Sequence, residues 1–299
     1  MSKQKITDIL KAGKILVSDG AWGTFLYQRG LTSGECPDEW SLSHPDIVKE
    51  IAGSYIDAGA DMVETNSFGA NRFKLQHYGL QDKVSEINEA AARLSREAAG
   101  DDKYVLASIG PTGKMLLMGD VTEEAFYDCF REQAVALEKG GADAIGIETM
   151  SDADEAVQAI KAAKENTGLE VIATFTFDKT PLGEYRTMMG LRPIEACRRA
   201  LEAGADIIGT NCGNGPERMI NIVKEIRTAF PDTFILVHAN AGLPVVVNGK
   251  DTFSETPEIM ASHVPALIEA GANIIGGCCG TTPAHIEAIA VVVNKIMNN

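Results

Sequence analysis

The chain has 299 residues, 45% of them hydrophobic and 23% charged, an ordinary globular composition that excludes a disordered polymer. Its 42 acidic side chains against 27 basic ones leave a formal net charge of −15; nucleic acid and anionic membranes need a positive surface, so neither is expected as the main partner. No apolar run approaches the ~20 residues of a membrane span, and Met1 to Leu10 alternates polar and apolar residues without a signal-peptide core, so a cytoplasmic protein is expected.

Taken in order, a first strand is read at Ile15–Ser18 and a second at Met62–Thr65, with a helix at Pro45–Ala58 between them. Strands at Tyr104–Ile109, Ala144–Ile147, Val171–Phe177, Ile207–Thr210, Thr233–His238 and Ile274–Gly276 follow. They alternate with amphipathic stretches at Asp82–Ala99, Glu123–Lys139, Asp152–Asn166, Pro193–Ala203, Pro216–Thr228, Pro257–Ala270 and Pro283–Met297, several opening on a proline, which suits the first turn of a helix. One short pattern recurs. A helix end, Gly-Ala, then Asp or Asn and an apolar strand appear at Gly59-Ala60-Asp61, Gly141-Ala142-Asp143, Gly204-Ala205-Asp206 and Gly271-Ala272-Asn273. Each Gly reads as a helix C-cap able to take positive φ. Eight strands each followed by a helix predict an α/β protein, a (β/α)8 TIM barrel forming a single domain over residues 1–299. A doubly wound open sheet is the runner-up. Helix-to-strand connections are short, whereas the strand-to-helix loops Gly20–His44, Asn66–Gln81, Gly110–Thr122, Asp178–Arg192 and Asn240–Thr256 are long. That asymmetry puts the functional face at the C-terminal ends of the strands.

The strand ends gathered on that face are Asp19-Gly20, Glu64-Thr65-Asn66, Glu148-Thr149, Asn211-Cys212-Gly213, His238-Ala239-Asn240 and Gly276-Gly277-Cys278-Cys279-Gly280. Six cysteines are too few for a disulfide framework in a chain this long. Cys36, Cys129 and Cys197 are isolated and read as small core hydrophobes. Cys212 and the pair Cys278-Cys279 fall on strands six and eight, which flank strand seven, so their sulfurs can converge. Three thiolates and one open position describe a catalytic zinc site; inert or redox thiols and a vicinal disulfide are the competing readings. Adjacent strand residues face opposite ways, so both sulfurs can meet one ion only where the backbone leaves strand geometry, and Gly276, Gly277 and Gly280 are read as supplying that freedom. His238 is read as a packed, hydrogen-bonded side chain. Asp19 and Glu148 are either caps and surface charges or a grip on a substrate ammonium. No HExxH, GxGxxG or P-loop pattern occurs. A thiolate-rich zinc site suits holding another thiol in its nucleophilic form, so the residues lead as far as zinc-activated thiol alkylation.

The segments Asp19-Gly20-Ala21-Trp22-Gly23-Thr24, Glu64-Thr65-Asn66-Ser67-Phe68, Gly110-Pro111-Thr112-Gly113, Asn211-Cys212-Gly213, Asn240-Ala241-Gly242-Leu243-Pro244 and Gly276-Gly277-Cys278-Cys279-Gly280-Thr281 resemble the homocysteine S-methyltransferase family. They are most similar to the homocysteine-binding module of cobalamin-dependent methionine synthase. The resemblance implies a Zn2+ site of Cys212, Cys278 and Cys279 and homocysteine thiolate as the fourth ligand, methylated to methionine. It also implies Asn240 as a neighbour of the metal in the resting state. Asp19 and Glu148 match positions that hold the amino-acid end, and Thr65 and Asn66 match positions lining the same pocket. Trp22 stands where a Met is frequent. The chain ends soon after its eighth helix, so the methyl donor is expected to be methylcobalamin on a separate corrinoid protein, free methylcobalamin or a small molecule such as S-methylmethionine. A methyltransferase for a different thiol, and a non-catalytic zinc-storage or docking protein, are the alternatives.

Overall fold

The computed structural model describes residues 3–247 and 250–298; residues 248 and 249, inside the loop read at 240–256, lie outside the described residues, as do residues 1, 2 and 299. Eight parallel strands surround the interior: β1 (Leu16–Val17), β2 (Met62–Glu64), β3 (Tyr104–Ile109), β4 (Ala144–Met150), β5 (Glu170–Phe175), β6 (Ile207–Asn211), β7 (Phe234–Ala239) and β8 (Ile274–Gly277). From β2 to β8 each strand pairs with the next in sequence, and β8 pairs with β1 in the register Leu16↔Ile274, while among the described residues no ladder joins β1 to β2. The β1–β2 seam is joined by Asp61, whose N–H donates to the Val17 carbonyl at 2.7 Å while its Oδ2 accepts from the Val17 N–H at 3.0 Å. The ring of eight strands with intervening helices is a (β/α)8 barrel.

The recurring Gly-Ala-Asp/Asn pattern has a structural meaning beyond helix termination. Gly59, Gly141, Gly204 and Gly271 all take positive φ, between 96° and 112°, as the cap reading requires. The Asp or Asn two residues later then clasps the preceding strand twice. Asp143 donates to the Val105 carbonyl and accepts from the Val105 N–H; Asp206 does the same to Val171, and Asn273 to Ile235. Four copies of one side-chain device therefore tie β1 to β2, β3 to β4, β5 to β6 and β7 to β8 at the N-terminal end of the barrel.

That end is also plugged. Leu16, Met62, Tyr104, Leu106, Ile172, Ile207, Leu236 and Ile274 form an inner apolar layer with Ile6 and Leu10, which belong to a helix at Ile6–Lys11. The Glu170 carboxylate caps this helix, accepting from the Ile6 N–H at 2.6 Å and the Thr7 N–H at 3.2 Å. The sequence reading assigns no element to this stretch, because six residues are too few to show a helical period. The larger apolar core lies between the strands and the outer helices. The helix read at 257–270 is divided at His263 into Pro257–Ser262 and Val264–Ala270, since Pro265 cannot donate back into the first segment. The long loops carry short elements: helices at Gly23–Gln28, Trp40–Ser43 and Arg72–Leu75, and a hairpin pairing 178–179 with 185–186. No described helix is long and apolar enough to cross a membrane.

A thiol-rich candidate active site at the barrel mouth

The three sulfurs singled out by spacing meet. Cys212, Cys278 and Cys279 present Sγ atoms that all lie within 4.8 Å of one another, and Cys212 Sγ is 3.8 Å from Cys279 Sγ. All six cysteines are free thiols, so the adjacent pair is not a disulfide. Its two sulfurs can face one point because β8 ends at Gly277 and Cys278-Cys279 already lie in the following turn. The glycines contribute differently from the expectation. Only Gly280 uses a positive φ, +81°. Gly276 and Gly277 serve close approach: a Cβ on Gly276 would lie 2.8 Å from the Asp19 carbonyl oxygen, and one on Gly277 would strike the Thr281 side chain. Cys212 itself is left-handed, with φ 57°, a conformation that is uncommon outside glycine and that clusters at functional sites. Its N–H donates to the His238 carbonyl and that of Cys278 to the Ala239 carbonyl, so β7 is the spacer that fixes the distance between the two sulfur-bearing turns.

The donor set fits a cation. Hydrogen bonds from Cys278 and Cys279 hold the Cys212 pKa well below the usual thiol range, and the same bonds to Cys212, with burial, push Cys278 and Cys279 up. One negative charge satisfies the trio by itself; three thiolates at this separation require a positive ion between them. Asn240 is buried beside them, and its Oδ1 has no hydrogen-bond partner. Among the described residues no other group of three or more His, Cys, Asp or Glu is close enough to hold a metal.

The sulfurs line a cavity of about 380 Å³ together with Glu64, Thr65, Asn66, Ser108, Glu148 and His238, under a rim that includes Trp22, Phe68, Lys74 and Tyr78. Glu148 is held on both oxygens. Ser108 Oγ donates to Oε1 and Asn211 Nδ2 donates to Oε2 at 3.0 Å, while burial and the nearby Glu64 raise its pKa to about 8. Asp19 is not among the residues lining the cavity. Its Oδ2 accepts from Trp22 Nε1 at 2.9 Å and from the Glu64 N–H at 2.8 Å, so it joins the ends of β1 and β2 and fixes the Trp22 wall. Burial first and Glu64 second raise its pKa to about 7. Thr65 Oγ1 accepts from the Ser108 N–H at 2.9 Å, and Asn66 donates to the Pro37 carbonyl at 2.8 Å, which ties the first loop to the second.

Sequence reasoning assigned no role to Glu64, Ser108 or Asn211. Glu64 is buried, with its pKa raised to about 8 by burial, and its Oε1 lies 3.5 Å from His238 Nδ1. Burial lowers the His238 pKa, and its Nε2 has no partner, so this histidine is packed as expected but not fully hydrogen-bonded. The only advance signal for Glu64 and Asn211 is their place at strand ends. Ser108, inside an otherwise apolar strand, gives none.

The structure is thus a parallel eight-stranded α/β barrel with a cysteine trio at its C-terminal mouth. The sequence model of the family described as homocysteine S-methyltransferase matches residues 16–293, and the chain belongs to that family. It is 33% identical to the methionine synthase of Mycobacterium tuberculosis (strain ATCC 25618 / H37Rv) over 313 residues, covering 97% of this chain and 26% of that protein. Against the methionine synthase of Mycobacterium leprae (strain TN) it is 33% identical over 312 residues, covering 97% and 25%. The chain thus spans about a quarter of the length of these curated relatives. Among solved structures, the metallated form of the homocysteine methyltransferase MmuM from Escherichia coli superposes with a TM-score of 0.77 at 23% identity, covering 95% of this chain and 98% of that one. The oxidized form of MmuM gives 0.76 at 25% identity, covering 97% and 99%. These likenesses bear out the barrel.

Proposed function

We propose that the chain is a zinc-dependent S-methyltransferase that takes homocysteine as a thiolate and methylates it to methionine, with the methyl group supplied by methylcobalamin on a separate corrinoid protein. The observation that carries this reading is the convergence of Cys212, Cys278 and Cys279 on one point that opens into a cavity. Those three residues would hold the ion, with Asn240 next to it. When bound, zinc supplies the positive charge that keeps an acceptor thiol deprotonated at neutral pH, where a free thiol of pKa ~8.5 is mostly protonated.

The chain's own groups do the rest. Glu148 faces the cavity from a carboxyl already oriented by Ser108 and Asn211. An ammonium beside it favours the ionised carboxylate, so binding of the amino-acid end and ionisation of Glu148 reinforce each other. Thr65 and Asn66 line the wall beneath the ligand, and Asp19 acts from behind it by fixing Trp22 and the Glu64 backbone. The buried floor keeps water from the acceptor sulfur. That sulfur forms the new S–C bond as the donor–methyl bond breaks, and the electron pair of the broken bond leaves with the donor.

Metal analysis combined with methyl-transfer assays, using homocysteine against methylcobalamin and against S-methylmethionine, tests this reading. We expect near-stoichiometric zinc in the intact protein and parallel loss of zinc and activity in Cys212→Ala. Full activity without metal ends the proposal, and turnover with S-methylmethionine alone replaces the corrinoid donor by a small one. A second reading, a methyltransferase for a thiol without an amino-acid end, draws on the engagement of Asp19 by the protein's own donors, which leaves fewer groups for an ammonium. Undiminished activity in Glu148→Ala and Asp19→Ala on a simple thiol would favour it.

A further inference from the structure

Asn211 ends β6 immediately before Cys212 and is fully buried. Every hydrogen-bonding position of its side chain is used. Oδ1 accepts from the Thr149 N–H at 2.7 Å and from Thr174 Oγ1 at 2.7 Å; Nδ2 donates to Glu148 Oε2 at 3.0 Å and to Thr149 Oγ1 at 2.7 Å. Its main-chain carbonyl accepts from Thr176 Oγ1 at 2.8 Å. One amide therefore joins β4, β5 and β6 across the barrel interior. The two residues it controls, Thr149 and Cys212, are the only non-glycine residues with positive φ among the described residues, at 58° and 57°. Two left-handed residues at adjacent points of one cavity persist only where surrounding bonds over-determine them, and Asn211 supplies bonds to the first and the covalent neighbour of the second.

We infer that Asn211 is a positioning residue that holds the Glu148 carboxylate and the Cys212 sulfur in a single frame, so that an amino-acid thiol is selected by its ammonium end and its sulfur end together. The inference rests on the proposed function for what occupies the cavity, but it concerns how the chain enforces the choice. A β-strand alone cannot do this. Glu148 and Cys212 leave different strands, and small relative slips of β4 and β6 would change the span between the two contacts. The Asn211 amide spans that gap with a donor to the carboxylate and an acceptor for the neighbouring N–H, and a fully satisfied buried amide is costly to displace.

The test measures affinities of the cobalt(II)-loaded protein for homocysteine and for 4-mercaptobutanoic acid, which is homocysteine without its amino group. The sulfur-to-cobalt charge-transfer band reports the metal site separately. The unaltered protein is expected to prefer homocysteine. Asn211→Asp keeps both acceptor functions and loses both N–H donors. It is expected to retain the charge-transfer band while the preference falls about tenfold, as loss of an oriented bond to a charged group implies. Should Asn211→Asp fail to fold, Thr174→Val releases the same amide from β5 and is expected to lower the preference in the same direction. A preference unchanged in whichever variant folds overturns the inference while leaving the proposed function standing. So does loss of the charge-transfer band together with binding of both thiols, which reduces Asn211 to a packing residue. An unaltered protein that does not distinguish the two ligands overturns instead the assignment of Glu148 to an ammonium.

Discussion

Asp38 lines the cavity rim with a buried carboxyl and no cation within ion-pair distance among the described residues. Its Oδ1 accepts from the Gly69 N–H at 2.9 Å, but burial outweighs that bond and raises its pKa to about 6. The sign of the consequence follows from linkage. The folded state holds the Asp38 proton more tightly than the unfolded chain, whose Asp titrates near ~3.9. The stability that comes with the protonated form is present at pH below about 4 and is lost as pH rises through about 6, an effect of at most roughly 3 kcal/mol. Asp38→Asn keeps an acceptor for Gly69 without the charge, so its melting temperature is expected to exceed that of the parent by more at pH 8 than at pH 4.5. A difference that stays constant across that range would mean that Asp38 ionises in the folded protein as freely as it does in water.

At the scale of elements, the four Asp/Asn clasps are interchangeable parts, and the protein contains its own control because the fourth is an Asn. Asp206→Asn is expected to hold Val171 through the same two bonds, as Asn273 holds Ile235, losing only the half-exposed ion pair to Lys164. Asp206→Ala leaves the Val171 N–H without its acceptor and should lower stability by about 1–3 kcal/mol in denaturant titration; equal stability of the two variants would show that the clasp does not hold the strands. The strand–helix alternation behind these clasps was legible in the sequence because Gly-Ala-Asp recurs and the apolar runs between are long enough to show a period. The function of the Asp was not, since a carboxylate just before a strand looks the same whether it faces solvent or the preceding strand. The same distinction runs through the site. Cys212, Cys278 and Cys279 were legible because all three stand at the ends of the two strands that flank β7, and two of them lie among glycines. Asn211 and Ser108 were not, because their side-chain partners lie 37 or more positions away and the bonds exist only once the barrel brings β3, β4, β5 and β6 side by side. Asp19 was legible as a mouth residue, but its engagement by Trp22 depends on a short helix that no periodicity announced.

Across the whole molecule the two ends of the barrel carry different burdens, as expected of this architecture. The N-terminal end holds the clasps, the apolar inner layer and the plugging helix; the C-terminal end holds the two left-handed non-glycine residues, the buried Asp19, Glu64 and Glu148, and the sulfurs. Two perturbations should therefore act independently. Zinc held by Cys212, Cys278 and Cys279 would staple β6 to β8 across β7, and an ion that binds only the folded chain raises the unfolding temperature in proportion to the logarithm of its free concentration. Leu10→Ala at the plug removes a buried side chain from the opposite end, at a cost of about 2–5 kcal/mol. Sites with no shared partners add in free energy, so Leu10→Ala is expected to lower the melting temperature by a similar amount with and without zinc and to leave zinc affinity unchanged. Cys212→Ser should abolish the zinc-dependent rise while changing the metal-free melting temperature little. A zinc-induced stabilisation that shrinks in Leu10→Ala would show that the plug and the mouth communicate through the strands, and the division of the barrel into a stability end and a chemical end would then fail.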